Sequence, residues 1–184
     1  MAKWLGRLLR NRRAGEATLA WNRKDLEAPG TIDLRSTAFA NGGPIPRLHA
    51  GQGVGDNVSP QLSWSGVPKG AAELVLLIED PDVPFRRPIA HLSLSGIPVT
   101  TTSIPQGGLN AGDQPFGTGI GSFGRAGYAG PRPIPGHGPH SYVFQIFALD
   151  SSLTLPPAAK PDEITEAMAG HVLARGRLAG TYER

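Results

Sequence analysis

Apolar residues gather in three dense runs and one helical pattern along this chain. "LVLLIE" (Leu74 to Glu79) is a continuous apolar run bounded by Lys69-Gly70 and Asp80-Pro81, as expected of a strand buried on both faces. "HLSLSGI" (His91 to Ile97) alternates instead, which predicts Leu92 and Leu94 on one face and His91, Ser93 and Ser95 on the other. "YVFQIFAL" (Tyr142 to Leu149) is rich in aromatic and branched residues and stops at Asp150-Ser151. These three runs read as central strands. "PDEITEAMAGHVLA" carries Ile164, Met168 and Val172 at helical spacing, acidic residues in its first turn and Arg175-Gly176 at its end, which predicts a helix. Between the second and third strands, Ser103 to His140 is dominated by Gly and Pro, and its Phe116, Ile120, Phe123 and Tyr128 point to a loop packed by its own side chains. The pattern as a whole predicts a mainly β, β-rich α+β domain with a few peripheral helices.

The amino terminus differs in kind. "MAKWLGRLLRNRR" sets Trp4, Leu5, Leu8 and Leu9 on one side of a short helix and Lys3, Arg7 and Arg10 on the other. Residues 1–30 hold seven basic and three acidic residues, so the arm is +4 while the remainder, with 11 basic and 12 acidic residues, is −1. Residues 1–30 are therefore expected to be a basic arm and 31–184 a single domain. The arm reads either as a helix that docks on a membrane surface or a partner, or as one folded back on its own domain or frayed. Arg7 and Arg10 break it too often for a signal peptide, and no other segment is apolar enough to span a bilayer, so a cytoplasmic location is expected. With 184 residues, 39% of them hydrophobic, the chain can close a core without staples. Its lack of Cys excludes disulfides, thiolate catalysis and Cys-based metal sites.

Familiar nucleotide and nucleophile motifs fail here. Gly119, Gly121 and Gly124 match G-x-G-x-x-G, but that fingerprint needs a strand before and a helix after, and Gly and Pro continue on both sides. Gly112 to Gly117 has P-loop glycine spacing with Thr118 where the Lys belongs, and Ser122 lacks the Gly of a nucleophile elbow two residues before it. A metal set of His137 and His140 with His91, Asp80 and Asp82 is the stronger rival. The Gly-Pro pair between the histidines bars a ligand helix, and His137 is expected as a solvent-facing loop residue. No cofactor is expected, nor is nucleic acid.

Another constellation remains. "EDPDVP" brings Asp80 and Asp82 out of the first strand with two prolines restricting the turn, and Asp80-Pro81 or Val83-Pro84 is expected to be cis. His91 opens the second strand, and His140 and Tyr142 open the third two residues apart, hence on one face. A carboxylate that fixes an imidazole's tautomer, a Tyr hydroxyl and unobstructed Gly amides suit anion recognition, stronger below about pH 6.5, the unperturbed His value. The alternative is structural, with the Asp residues capping turns and the His residues satisfying buried polar groups.

Six blocks in order resemble the phosphatidylethanolamine-binding protein family, in particular its bacterial and archaeal branch, often called Raf-kinase-inhibitor-like. They are "NVSPQLSWSGVP" (57–68), "DPDVP" (80–84), "HLSLSGIP" (91–98), "GYAGPRP" (127–133), "HSYVFQIFALD" (140–150) and "HVLARGRLAGTY" (171–182). The resemblance implies a large antiparallel-rich sheet packed on a smaller one, with an anion pocket at one edge. It implies that Asp80, Asp82, Pro84, His91, Gly130, Pro133, His140 and Tyr142 bind a ligand such as phosphate, phosphoethanolamine, a phospholipid head group or a similar anion. Kinase or protease inhibition, known among eukaryotic relatives, makes a protein partner a further expectation, beside a membrane contact through the arm and a homodimer. Two other functions stay open, a hydrolase using His91 or His140 as base and an interaction module working through the arm. Ala90 and Leu92 flank His91 where the branch commonly has aromatics, Arg86 and Arg87 make the adjoining loop basic, and the arm is outside the family pattern.

Overall fold

The computed structural model describes residues 3–110 and 116–184. Two antiparallel sheets form its centre. The larger has five strands in the order β6 (Gly117–Thr118), β4 (Ile89–Ile97), β3 (Glu73–Asp80), β7 (His140–Leu149), β8 (Val172–Tyr182). The smaller has three, β1 (Asp33–Arg35), β2 (Leu62–Ser65) and β5 (Ser103–Ile104). Helix α1 (Lys3–Leu9) precedes every strand in the chain and α2 (Pro161–Ala167) falls between β7 and β8. The architecture is mainly β, as the pattern predicts, and has the two sheets that the resemblance implies.

The continuous apolar run of β3 has a direct cause, because the large sheet is covered on both faces. Leu74, Leu76 and Ile78 join Phe144, Ile146 and Leu178 in a core shared with Leu34, Leu62 and Trp64 of the small sheet. Val75 and Leu77 point the other way, where Phe147 and Leu149 meet Leu26, Ile164 and Met168. The stretch 16–30 therefore lays Leu26 into the reverse-side core, and Arg175 of β8 holds it by stacking 4.3 Å from the Trp21 ring and donating to the carbonyl of Ala28.

Two expectations about elements change. The carboxy-terminal helix ends at Ala167, and Val172 already belongs to β8, paired with Leu149. Gly170 at φ +79° takes the left-handed conformation that stops a helix, and pairing with β7 outweighs the helical spacing of Val172. In β4 the alternation fails at His91. Ile78 pairs with Leu92 but Glu79 pairs with Ala90, so His91 is the extra residue of a bulge. The bulge aims His91 at Tyr142, in the same core as Leu92 and Leu94, not at the opposite face.

Phe144 is fully buried and packs on Phe39 with ring centroids 5.5 Å apart. Truncation by Phe144→Ala is expected to lower stability by about 3–5 kcal/mol in urea melts; a loss under about 1 kcal/mol would mean that the inter-sheet core is not where the stability resides.

Candidate functional site

The site is built where three strand ends meet. Asp80 closes β3, His91 bulges from β4, and His140 and Tyr142 begin β7. All four are buried, with 4% exposure or less. Antiparallel pairing of β3 with β7 sets Ile78 beside Phe144, which carries Asp80 to the level of Tyr142 on the same face. The His91 ring then meets Tyr142 edge-on at 5.0 Å.

Asp80 uses both carboxylate oxygens. Oδ1 accepts the amide of Asp82 at 2.8 Å, closing the turn, and Oδ2 accepts Nδ1–H of His140 at 2.7 Å. That turn needs no cis bond: every peptide bond among the described residues is trans, contrary to the expectation at Asp80-Pro81 and Val83-Pro84. Asp82 faces outward, accepting the Ser141 amide at 2.6 Å and pairing with Arg13 at 2.6 Å. Pro84, half buried, lines a shallow groove with Arg12, Arg13 and Phe85.

His137 is fully buried rather than solvent-facing. Its Nδ1 lies 2.8 Å from Nε2 of His140, so the two rings share one proton between nitrogens that a metal would otherwise occupy. With Nδ1 of His140 donating to Asp80, its Nε2 is the acceptor and His137 donates; His137 Nε2 is left buried without a hydrogen-bond partner. Burial holds the His137 imidazole below the ordinary histidine range, with His140 and Arg13 acting in the same direction and the carbonyls of Leu9 and Arg12 opposing them. Among the described residues no group of three or more His, Cys, Asp or Glu is arranged to hold a metal ion.

His91 donates Nδ1–H to the carbonyl of Ala129 at 2.5 Å, which fixes the tautomer with the lone pair on Nε2. No hydrogen bond engages Nε2 among the described residues. Burial lowers the His91 proton affinity, and Asp80 partly restores it. Tyr142 carries a buried hydroxyl without a hydrogen-bond partner, and burial with the Asp80 charge pushes its ionisation upward, so it stays a neutral donor. A buried unpaired donor costs about 1–3 kcal/mol, and the Tyr142 ring lies against that of His91, whose Nε2 makes no hydrogen bond among the described residues.

The Gly-rich wall is held differently from the expectation. Gly130 spends its amide on Asn57 Oδ1 at 2.8 Å, so it offers no N–H to a ligand. Its role is close approach, since a Cβ there would lie 2.1 Å from the carbonyl oxygen of His49. Asn57, at φ +56°, also donates to the carbonyl of Tyr128, and the Tyr128 hydroxyl donates to that of His49. These bonds pin residues 128–130 behind His91, with Pro133 buried further along the same wall. Phe123 stands out from the loop, 55% exposed, with its ring 5.7 Å from His91.

Sequence reasoning passed over Arg13, Asn57 and the structural part of His137, and it expected Phe123 to pack the long loop where the structure leaves it exposed against His91. The H-x-x-H spacing was a signal for His137, and Asn57 heads the "NVSP" block; Arg13 gave no signal beyond charge. A surface Ser-His-Asp grouping also occurs, but Ser151 and Asp150 both bind Nδ1 of His171, at 3.0 and 2.8 Å, so no imidazole bridges them as a triad requires.

A two-sheet β fold whose strand ends enclose a carboxylate, imidazoles and a phenol defines a class of binding proteins, and comparison with known sequences places the chain within it. The phosphatidylethanolamine-binding protein family model matches residues 35–183, and the chain belongs to that family. It is 39% identical over 155 residues to a UPF0098 protein of Methanothermobacter thermautotrophicus, covering 83% of this chain and 99% of that one. A UPF0098 protein of Aquifex aeolicus is 36% identical over 170 residues, covering 91% and 98%. Among solved structures, the phosphatidylethanolamine-binding protein homolog CT736 from Chlamydia trachomatis matches with a TM-score of 0.76 and 33% identity over 84% of this chain and 99% of that one. E. coli YbcL, described as a member of the mammalian family, matches with a TM-score of 0.78 and 27% identity over the same shares. Membership of this family suggests ligand binding. No helix among the described residues is long and apolar enough to cross a membrane.

Removing the imidazole by His140→Ala leaves the Asp80 charge buried with one oxygen unpartnered. A loss of about 3–5 kcal/mol is expected in urea melts at pH 7.5, with Asp80→Asn/His140→Ala less destabilised than the single variant; equal losses would mean that the pair is not coupled. Burial depresses His91 and His137, so as pH falls through about 6.5 the unfolded chain takes up protons that the folded chain refuses. Stability is therefore present above that pH and lost below it, and the melting temperature is expected to fall between pH 7.5 and 5.5. His91→Gln should flatten that slope, and an unchanged slope would count against a depressed His91.

Proposed function

We propose that the protein binds phosphate-bearing small molecules or phospholipid head groups at the Asp80, His91, His140 and Tyr142 site. The observation that carries this reading is the contact of the His91 and Tyr142 rings at 5.0 Å, with the buried Tyr142 hydroxyl lacking a partner and Nε2 of His91 left out of the bond to Ala129. A phosphoryl oxygen set between them accepts from Tyr142 at any physiological pH. It accepts from His91 only once Nε2 is protonated, so binding takes up a proton. Asp80 and His140 orient the site and do not touch the ligand, because both Asp80 oxygens and both His140 nitrogens are already engaged. That engagement also removes His140 as a general base. Regulation of a kinase or protease belongs to the same proposal only as a consequence of occupancy at this site.

A head-group diester such as glycerophosphoethanolamine keeps its phosphate at one negative charge across neutral pH and isolates the histidine contribution. Titration followed by NMR of the His side chains is expected to shift His91 and the amides around 129–133 together, with affinity about tenfold higher at pH 6 than at pH 7.5. Tyr142→Phe should weaken binding by about tenfold, the size of one lost hydrogen bond to a charged group. A saturating response that leaves His91 unmoved, or a variant that binds as tightly as the parent, would overturn the assignment.

A further inference from the structure

Helix α1 divides its apolar side chains between two faces. An amphipathic helix lying on a protein ordinarily turns its large apolar side chains inward. Here Gly6 is buried and Leu5 and Leu9 are half-buried, while Trp4 and Leu8 are 64% and 72% exposed. Gly6 sits so close to the wall of the site that a Cβ there would lie 2.2 Å from the Pro135 carbonyl oxygen and 2.6 Å from the His137 amide nitrogen. The segment after α1 continues the seal, with Arg13 on Asp82 and on the Pro139 carbonyl, and the Ala14 and Gly15 amides on the carbonyls of Val83 and Pro81. One side of the arm therefore closes the flank of the site, and the other offers apolar side chains to the outside.

That outer side has a definite charge. The first fifteen residues contain five basic and no acidic side chains, and Lys3, Arg7, Arg10 and Arg12 are all exposed. Of the six exposed large apolar side chains among the described residues, two are on α1. A third, Phe85, lies across a groove from Arg12, and a fourth, Phe123, rests on His91. Exposed Trp and Leu ringed by cations match an anionic bilayer, where apolar tips enter the interface and the cations meet phosphate. Acidic protein or nucleic acid would satisfy the cations without covering Trp4 and Leu8.

We propose that the outer face of α1 docks on anionic lipid bilayers, and that the same helix, lifted from Pro135–His137, opens the site beneath it. The proposal rests on the head-group reading above and assigns to the arm the two roles of membrane contact and lid. It places the lid outside the matched family region, which begins at residue 35.

The test is sedimentation of the full chain with vesicles of phosphatidylcholine alone or with about one third phosphatidylglycerol. Wild type is expected to sediment with the anionic vesicles, not with pure phosphatidylcholine, and to be released by 0.5 M salt, roughly three times physiological ionic strength and enough to screen surface charge. Trp4→Ser/Leu8→Ser is expected to weaken this at least tenfold without changing the melting temperature. Gly6→Leu cannot seat on Pro135–His137 and is expected to bind anionic vesicles several-fold tighter, because Leu5 and Leu9, half-buried in the seated helix, then join Trp4 and Leu8 in the bilayer. Equal sedimentation with both vesicle types, or binding indifferent to Trp4→Ser/Leu8→Ser, overturns the docking. Gly6→Leu binding no tighter than wild type overturns the lid. Vesicle binding that survives the arm variant but is lost in His91→Gln would put capture at the site itself, overturning the arm proposal and leaving the head-group reading intact. Failure of the head-group reading shows separately, as a His91 silent to glycerophosphoethanolamine in the Gly6→Leu variant.

Discussion

The Asp80 carboxylate is the constraint on which the site depends. Its side chain is 3% exposed, and a carboxylate that deep is tolerated only when each oxygen finds a donor. One donor is the backbone of the turn that follows, so the DPD turn takes its shape from the charge. The other is His140, whose tautomer, ring orientation and acceptor nitrogen follow from that bond. The same negative charge lies beneath His91 and Tyr142, where it draws a proton toward the first and discourages ionisation of the second. On the proposed reading, an anion entering above a buried carboxylate meets repulsion unless a positive charge arrives with it, and a protonated His91 would supply it.

Much of the scaffold can be read from the chain, for a physical reason. A sheet covered on both faces leaves unbroken apolar runs, and β3 and β7 are such runs, so their positions and the convergence of Asp80, His140 and Tyr142 follow from pattern alone. The bulge at His91 is invisible to the same reasoning, because a period-2 pattern assumes an unbroken ladder and one extra residue reverses the facing of everything before it. The helix expected through Val172 fails for a related reason, since β7 offers Val172 a strand partner that local spacing does not register. His137 and Gly130 show a different limit. Whether a loop histidine is exposed, or a glycine amide is free, depends on what packs against the loop, and those partners, α1 for one and Asn57 for the other, are distant in sequence.

Charge was legible in amount but not in consequence. The arm's basic excess is plain in the sequence, yet among the described residues only Arg13 of its cations forms an ion pair with the domain, and backbone bonds from Ala14 and Gly15 place the segment beside it. Farther along, Ala20 and Trp21 donate their amides to Glu79 and Gln145, each on a central strand. Burial keeps the Glu79 carboxyl above its ordinary range although the Gln145 side chain and the Ala20 amide both donate to it. The segment 16–30 is thus tied to the reverse face of the sheet while residues 3–15 reach round to the site, and the two parts of one basic stretch serve opposite faces.

Hydrogen bonding joins that second part to the chemistry. From Asp80 the chain of donors runs through His140 to His137, and the carbonyls of Leu9 and Arg12 lie beside the His137 ring. Carbonyls can only accept, so a neutral relay leaves His137 Nε2 facing no donor, as its unpaired state records. Only a His137 ring whose Nε2 carries the hydrogen can donate to those carbonyls, and which nitrogen carries it is set by the bond to His140 on the other side of the ring. The relay and the seating of the arm are therefore not independent, because a single ring with two nitrogens must serve both.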